Sequence, residues 1–385
     1  MSANALTPTA RFRAVFSGEP SSRCFSPGRV NLIGEHIDYC GGDVLPMAID
    51  RGTDCAYAAN GSTLLRIHSM SFDETVELDL GALPAARGHW SDYGAGVAAA
   101  LESARGVDIV VHGTIGGGGL SSSASFSMAI GYALLEAAGA APETDAERLM
   151  LAQQCRAAEN DFVGVSCGIM DQASIALGGI VRLDCDSLEF DRVEPGDMDT
   201  VWVVMDTRHP RTLAGSRYNE RVGEIRSICD QCDVPGGMAS LCRVVDPDSL
   251  QGPGGPFSGL DETLFRRLRH LATEQTRVTE AARALAAGDA ATLGLLMNAS
   301  HASLKGDYEV TGEALDVIVG ISQGFDGVYG ARMTGAGFGG CAIALVAREA
   351  VRAHADHVRT AFERETGVAP EVFTVTAALG VGLEA

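Results

Sequence analysis

Four consecutive glycines, residues 116–119, run directly into the serines at 121–123 in the stretch GGGGLSSSAS. An apolar run at 107–113 predicts a strand before this loop, and a helical pattern at 125–139 follows it. A helix amino terminus presents free N–H groups and the positive end of its dipole, and glycines let the backbone approach an anion. The context favours a phosphate-binding loop over a flexible linker, while a serine-capped turn without a ligand stays an open alternative.

A second concentration of reactive side chains lies at 26–50, where charged residues interrupt an apolar sequence. Arg29 follows a Pro-Gly turn, and Glu35, His36 and Asp38 stand between the apolar runs VNLI and VLPMAI. Buried carboxylates are unfavourable unless they are hydrogen-bonded, and the hydroxyl groups of a sugar are suitable partners. The apolar flanks make a solvated surface turn the weaker interpretation of these residues.

Two further motifs carry a carboxylate and a second glycine loop. Asp171 follows a Cys-Gly turn in an apolar setting, within the stretch AENDFVGVSCGIMDQAS at 158–174. The stretch TGAGFGG at 334–340 lies between two apolar runs that predict strands. A glycine loop taken alone is a weak signal, so its meaning depends on the other motifs.

The elements that must position these motifs follow from the hydrophobic periodicity of the chain. Further strands are predicted at 63–70, 75–80, 178–185 and 201–207. Further helices are predicted within 1–22 and at 145–163, 262–286 and 289–304. The alternation of strands and helices predicts an α+β fold with mixed sheets.

The length of 385 residues favours two packed domains over a single core. The turn-rich stretch 191–200 indicates the boundary, which gives an amino-terminal domain at 1–195 and a carboxy-terminal domain at 196–385. A Pro/Gly-rich stretch at 246–262 predicts an exposed loop inside the second domain.

The composition excludes several classes of function. A net charge of −21 argues against nucleic acid and against an anionic membrane surface as partners. Lys305 is the only lysine, so the glycine loop is neither a GxxxxGK[ST] loop nor part of a lysine-dependent protein-kinase site. The ten cysteines have no regular spacing and are expected to be reduced core thiols. No apolar run is long enough for a membrane span, so we expect a cytoplasmic protein. We also expect the protein to be a monomer.

Four stretches together resemble the galactokinases of the GHMP sugar-kinase superfamily. They are GRVNLIGEHIDY at 28–39, GGGLSSSAS at 117–125, CGIMDQ at 167–172 and RMTGAGFGG at 332–340. The stretches at 216–225 and 300–310 are also similar to that family, so the resemblance covers about residues 20–346. It implies a two-domain GHMP fold with a ferredoxin-like second domain and an active site in the cleft between the domains.

The resemblance also implies an activity. Galactokinases transfer a phosphoryl group from ATP to the anomeric hydroxyl of galactose, which gives galactose 1-phosphate in the first step of galactose catabolism. Asp171 matches the family's catalytic aspartate, and Arg29 matches the arginine beside it. By the same resemblance, Mg²⁺ would be held by Ser123 and Glu159. The partners implied are therefore a sugar, ATP and Mg²⁺.

The same resemblance implies the binding residues for both substrates. The matches to the sugar contacts are Glu35, His36, Asp38, Gly168 and Tyr218. The matches to the ATP contacts are Gly117, Gly118, Gly119, Leu120, Ser121, Ser122, Ser123 and Ser69.

The sequence departs from the family pattern at a few positions. Ile115 stands where a proline usually precedes the ATP loop, and Gly116 and Gly118 replace bulkier residues. These changes predict a more mobile loop and a higher KM for ATP. Arg211 stands where histidine is common, which leaves the choice of sugar open. A related kinase acting on N-acetylgalactosamine or L-arabinose is one alternative. A catalytically silent sensor that binds ATP and galactose is another, although the complete serine loop argues against it.

Overall fold

A computed structural model describes residues 7–116, 118–209, 214–248, 250 and 255–383. The strands are β1 Ser22–Asn31, β2 Asp43–Val44, β3 Pro46–Ala59, β4 Leu64–Ser69, β5 Glu74–Asp79, β6 Val107–Gly113, β7 Val181–Asp184, β8 Phe190–Arg192, β9 Thr200–Asp206, β10 Val328–Met333, β11 Cys341–Ala347, β12 Glu371–Val375 and β13 Gly382–Leu383. The α-helices are α1 Pro8–Phe16, α2 Asp92–Ala100, α3 Ser122–Ala137, α4 Asp145–Ala157, α5 Met170–Leu177, α6 Ala214–Cys232, α7 Leu241–Val244, α8 Glu262–Ala287, α9 Ala290–Ser303, α10 Glu313–Gln323 and α11 Val351–Thr366.

The amino-terminal half is built on a six-stranded sheet in the order β13-β1-β3-β6-β4-β5. All neighbours in it are antiparallel except β4 and β6, which run parallel. Helix α3 packs on β1, β3 and β6 and is rich in small residues, mostly serine and alanine. A Cβ on Gly131 of α3 would approach the Leu151 side chain of α4 to 2.7 Å, so the small residues let these two helices pack closely.

The carboxy-terminal half contains a four-stranded antiparallel sheet in the order β10-β11-β9-β12. Strand β11, CAIALVA, is buried along its whole length, since β10 and β9 pair with it on both sides and α10 packs against it. The connection between β10 and β11 carries the second glycine loop, residues 334–340. The predicted strand–loop–strand arrangement is confirmed, and the register sets Cys341 of β11 opposite Asp206 of β9.

The two halves are joined at several places. Strand β13, near the end of the chain, pairs with β1 in the first sheet, and Ile49 of β3 bridges to Ala377. Helix α8 of the second half packs against β2 in the first half. The chain therefore returns to its first sheet after building the second one, and the division at residue 195 stays a prediction.

The α+β class is confirmed, and most predicted elements are present. The predicted helix at 145–163 consists of α4 and a π-helical turn, Ala158–Val163. The predicted strand at 178–185 is shorter, because Gly178 and Gly179 adopt positive φ values of 71° and 67°. Within the predicted loop at 246–262, residues 249 and 251–254 lie outside the described residues.

Two long strands at the centre of the first sheet, β1 and β3, were not predicted from the sequence. Strand β1 contains Pro27 and Gly28, where the pairing with β3 shifts register. Proline and glycine weaken the sequence signal of a strand, but both are tolerated at such a bulge. In the part of the chain that is described, no helix has both the length and the apolar character needed to cross a membrane.

Candidate active site

A cavity of about 320 Å³ lies where the two halves meet. Gly335 and Ala336 of the second glycine loop and Tyr218 and Asn219 of α6 line it from the second half. The predicted residues that line it from the first half are Arg29, Glu35, His36, Asp38, Ser123, Glu159, Gly168 and Asp171. The structure thus brings the predicted sugar, metal and catalytic residues to one place.

Asp171 lies in the first turn of α5, and both of its carboxylate oxygens have protein partners. Arg29 of β1 donates from Nε to Oδ1 at 2.7 Å, and its Nη2 forms an ion pair with the same oxygen at 2.6 Å. The Ser121 hydroxyl donates to Oδ2 at 2.5 Å. The Arg29 side chain is buried, so its charge acts on the aspartate with little screening by solvent. The arrangement holds a negative charge at a fixed place on the cavity wall.

The glycine–serine loop connects β6 to α3, as the sequence predicts. Gly119 has a φ of +87°, which glycine adopts without strain, and its carbonyl accepts a hydrogen bond from Arg29 Nη1 at 2.8 Å. Ser121 precedes α3 with a φ of 60°, and its side chain does not cap the helix. Leu120 is buried in the core. The unused N–H groups at the start of α3 remain a ready site for phosphate oxygens.

The remaining residues of this loop are placed as follows. Ser122 and Ser123 form the first turn of α3. Gly118 lies against the second glycine loop, because the Cys341 thiol donates to its carbonyl at 2.6 Å. Gly117 lies outside the described residues, as does Arg211.

Glu159, in the π-helical turn after α4, is buried and hydrogen-bonded to the Ser123 side chain. Gln172 Nε2 donates to its carboxylate as well. Burial raises the pKa of Glu159 to about 7, and the negative charge of Asp171 adds to this while the hydrogen bonds from Ser123 and Gln172 oppose it. A cation placed at this carboxylate would lower that pKa again.

Ser123 and Glu159 fit the ligand chemistry of Mg²⁺. Among the described residues there is no group of three or more His, Cys, Asp or Glu side chains that could hold a metal ion. Mg²⁺ in phosphoryl-transfer sites takes only one or two protein oxygens and completes its shell with phosphate and water. The hydrogen-bonded pair of Ser123 and Glu159 supplies such oxygens beside the loop.

Glu35 is almost completely buried and connects the two halves of the molecule. Its Oε2 accepts a hydrogen bond from Asn31 Nδ2 at 2.7 Å and forms an ion pair with Arg332 at 2.6 Å. Its Oε1 accepts a hydrogen bond from the Gly335 N–H at 2.7 Å. Burial raises the pKa of this carboxyl, and the charge of Arg332 opposes the rise.

His36 has a φ of 63° and a neutral imidazole, because burial lowers its pKa to about 3. The ring contacts the Ala336 carbonyl through Nε2 and the Tyr39 hydroxyl through Nδ1, both at 3.1 Å. A carbonyl can only accept, so the single ring proton is on Nε2 and the Tyr39 hydroxyl donates to Nδ1. The ring of Tyr218 lies 5.5 Å from that of His36 and completes an aromatic wall.

Asp38 and Gly168 are in direct contact at the side of the cavity. A Cβ on Gly168 would overlap the Asp38 carboxylate, so this position requires glycine. Burial and the nearby charge of Asp171 raise the pKa of Asp38 to about 6. The wall therefore carries two carboxylates, Asp38 and Asp171, whose charges repel each other.

Ser69, like the described loop residues Gly118, Gly119, Leu120, Ser121 and Ser122, is not among the residues that line the cavity. It lies at the end of β4, and its hydroxyl accepts a hydrogen bond from the Phe72 N–H at 3.4 Å. Strand β4 is the neighbour of β6, which leads into the glycine–serine loop. A role for Ser69 near the nucleotide stays a prediction.

The sequence did not predict the buried residues that hold the side chains and backbone of the site in place. Arg332, which pairs with Glu35, lies inside the stretch RMTGAGFGG, but that motif was used only for its glycines. Glu274 and His270 are fully buried polar residues of α8, whose sequence has the pattern of an amphipathic helix. The sequence signal that could have revealed them is the presence of polar residues on the apolar face of a predicted amphipathic helix.

Comparisons with known proteins agree with this geometry. The family model for the galactokinase galactose-binding signature matches residues 10–59, and the models for the GHMP kinase N-terminal and C-terminal domains match residues 92–179 and 281–366. The chain is 40% identical over 375 residues to galactokinase of Streptococcus thermophilus, which covers 94% of this chain and 95% of that relative. It is 39% identical over 381 residues to galactokinase of Streptococcus suis, with 96% of both chains covered.

Solved structures give the same result for the fold. The crystal structure of Lactococcus lactis galactokinase complexed with galactose superimposes with a TM-score of 0.90 and 37% identity, over 97% of this chain and 98% of that one. A mevalonate kinase structure superimposes with a TM-score of 0.64 at 20% identity, over 94% of this chain and 100% of that one, which is a similarity of fold alone.

Proposed function

The chain belongs to the galactokinase family of GHMP kinases, and on this premise we propose that it phosphorylates the anomeric hydroxyl of galactose with ATP. The observation that carries the proposal is the placement of Asp171 and Arg29. They lie in one cavity with the signature residues Glu35 and His36, beside the loop that leads into α3. The sugar-binding side and the phosphate-binding side therefore meet at a single charged pair.

The sugar would bind against the wall formed by the galactose signature. The carboxylates of Glu35 and Asp38 offer acceptors for sugar hydroxyls, since each oxygen can accept more than one hydrogen bond. The rings of His36 and Tyr218 supply an apolar surface for the sugar C–H groups. Gly168 lets the Asp38 carboxylate lie against the backbone, in the place that a side chain would otherwise take.

Asp171 would accept the proton of the attacking hydroxyl as the phosphoryl group is transferred. Arg29 would stabilise negative charge at the transferring group and keep the aspartate oriented. Because Arg29 and Ser121 hold both oxygens of the carboxylate, Asp171 is fixed in one orientation before the substrates bind. Fixed geometry of this kind lowers the entropic part of the activation barrier.

The phosphates of ATP would bind at residues 118–123, where the free N–H groups of α3 attract anions. Ser123 and Glu159 would hold Mg²⁺ when it is bound. The ion would neutralise phosphate charge, in addition to the positive charge of Arg29 and the N–H groups at the start of α3.

We also propose that the protein acts as a monomer in the cytoplasm, with the sugar and ATP as its partners. Among the described residues the ten cysteines form no disulfide bond, which suits a reducing compartment. Size-exclusion chromatography with light scattering would test the monomer directly, because a dimer would double the mass of 40.1 kDa.

A panel of sugars in an ADP-release assay tests the proposed activity. We expect kcat/KM for galactose to exceed the values for N-acetylgalactosamine and L-arabinose by more than tenfold. If kcat/KM for another sugar exceeded the value for galactose by that factor, that sugar and not galactose would be the substrate. Binding of galactose and ATP without ADP release would instead identify a silent sensor.

A further inference from the structure

Helix α8 presents a stripe of three residues to the segment that carries the sugar-binding side chains. His270, Glu274 and Val278 are spaced four residues apart and therefore lie on one face of the helix. A Cβ on Gly34 would come within 2.9 Å of the Val278 side chain, so helix and segment are in close contact. The stripe and the segment belong to opposite halves of the chain.

The segment Gly34–His36 has an unusual backbone that needs support. Gly34 has a φ of +104° and His36 a φ of 63°. Positive φ is uncommon for a residue with a side chain and persists only where the surroundings hold it. This backbone directs the side chains of Glu35 and His36 into the cavity.

Two hydrogen bonds from α8 hold the backbone of this segment. The Glu274 carboxylate accepts from the Gly34 N–H at 3.0 Å, and His270 Nε2 lies 3.0 Å from the Glu35 carbonyl. Since that carbonyl can only accept, Nε2 carries the proton, and Nδ1 lies 3.0 Å from the Ser303 hydroxyl. Both α8 side chains are completely buried, so neither interaction competes with water.

The charge states support these contacts. The pKa of Glu274 is lowered to about 2, because Arg277 and other positive groups outweigh the effect of burial. Burial lowers the pKa of His270 to about 4, although the nearby Glu274 opposes this. Near neutral pH the pair is therefore an anionic acceptor and a neutral donor, as the two hydrogen bonds require.

We propose that His270 and Glu274 are positioning residues for the sugar, which hold the segment Gly34–His36 so that Glu35 and His36 face galactose. The inference rests on the proposed function, since it assigns a role in binding its sugar substrate. It makes a helix of the second half responsible for the sugar affinity that Glu35 and His36 of the first half confer. Neither residue touches the cavity itself.

Two substitutions at His270 test the inference with matched volume. H270L removes both ring nitrogens, whereas H270Q keeps an N–H donor near the place of Nε2. We expect H270L to raise KM for galactose and its calorimetric Kd about tenfold while KM for ATP stays within about twofold. We expect H270Q to stay within about threefold of the parent for both substrates.

A second pair guards against misfolding of H270L. E274D keeps the charge but withdraws the acceptor from Gly34, and E280D makes the same change at an exposed position of the same helix. We expect E274D to raise KM for galactose about fivefold with KM for ATP unchanged, and E280D to have no effect.

The outcomes separate the inference from the activity it rests on. Turnover of galactose by the parent protein tests the proposed function, whatever the variants do. If the parent is active, the inference is overturned by an unchanged galactose KM in E274D, by parallel losses for both substrates, or by equal defects in H270Q and H270L.

Discussion

Glu35 and His36 on the sugar side of the cavity are held by partners from both halves of the chain, whereas the loop at 118–123 is held largely from its own half. Glu35 is bound by Arg332 and by the Gly335 N–H, and His36 by the Ala336 carbonyl. In the loop, Gly119 is held by Arg29, and the Cys341 thiol is a contact from the second half.

The difference indicates two ways of recognising a substrate. The side chains proposed to bind the sugar are already held by protein partners, so a sugar bound there would cost little conformational entropy. The glycine loop leaves donors free at the start of α3, and under the proposed function the phosphates of ATP would supply the partners that order it. Substitutions on the sugar side should therefore affect stability as well as affinity, and those in the loop mainly ATP affinity.

The largest effect is expected at Asp171, where the two regions meet. D171N removes the proton acceptor but keeps the shape of the side chain, so kcat should fall about 10²- to 10⁴-fold. Galactose affinity, measured by calorimetry, should change little. D161N, at an exposed position in the π-helical turn, is the control. A D171N enzyme that retained most of kcat with unchanged sugar binding would show that Asp171 is not the base.

The next largest effect is expected at Arg332, which is completely buried against Glu35 and Glu274. R332M leaves the buried Glu35 carboxylate without its ion-pair partner, so the free energy of unfolding should fall by about 3–5 kcal/mol in urea titrations. The control is R283M, because Arg283 is exposed on α8. Equal stability of R332M and the parent would contradict the description of the sugar side as a rigid wall.

The pH dependence of stability gives a smaller effect with a defined sign. The pKa of His270 is about 4 in the folded protein, whereas the ordinary value of 6.5 applies to the unfolded chain. Between pH 4 and pH 6.5 the unfolded chain therefore binds a proton that the folded protein does not. Stability is therefore lost as pH falls from 6.5 to 4, by up to about 3 kcal/mol for this residue.

H270Q isolates that contribution, because glutamine does not titrate. Urea unfolding of the parent and of H270Q at pH 6.5 and pH 4.5 should show a smaller loss of stability in the variant. Identical losses in both proteins would mean that His270 is not kept neutral by burial.

The smallest effect is expected in the glycine–serine loop. Gly118 has no positive φ, and an added Cβ would lie 3.3 Å from Gly340 Cα, so alanine fits with a slight adjustment. G118A restricts the unliganded loop and should lower KM for ATP about two- to fivefold.

G119A is the matched comparison, because Gly119 has a φ of +87° that alanine adopts only with strain. It should weaken ATP binding, and both variants should leave KM for galactose unchanged. Unaltered ATP affinity and unaltered hydrogen exchange of the loop in G118A would contradict the prediction of a mobile loop.

The two regions also differ in how far the sequence predicts them. The glycine–serine loop is encoded locally, since a strand, glycines and a helix start follow one another in the chain, and its position between β6 and α3 was predicted correctly. The supports of Glu35 come from His270 and Arg332, more than 230 residues away, and only the tertiary fold brings them together. The sequence therefore predicts many of the side chains that line the cavity, but not the distant residues that hold them in place.

The most direct test of the account is the identity of the product. The protein is incubated with ATP, Mg²⁺ and galactose, and the sugar phosphate is examined by ³¹P and ¹H NMR. The account predicts stoichiometric formation of galactose 1-phosphate, with the phosphorus coupled to the anomeric proton. Phosphate on another hydroxyl, or ADP release without a sugar phosphate, would contradict it.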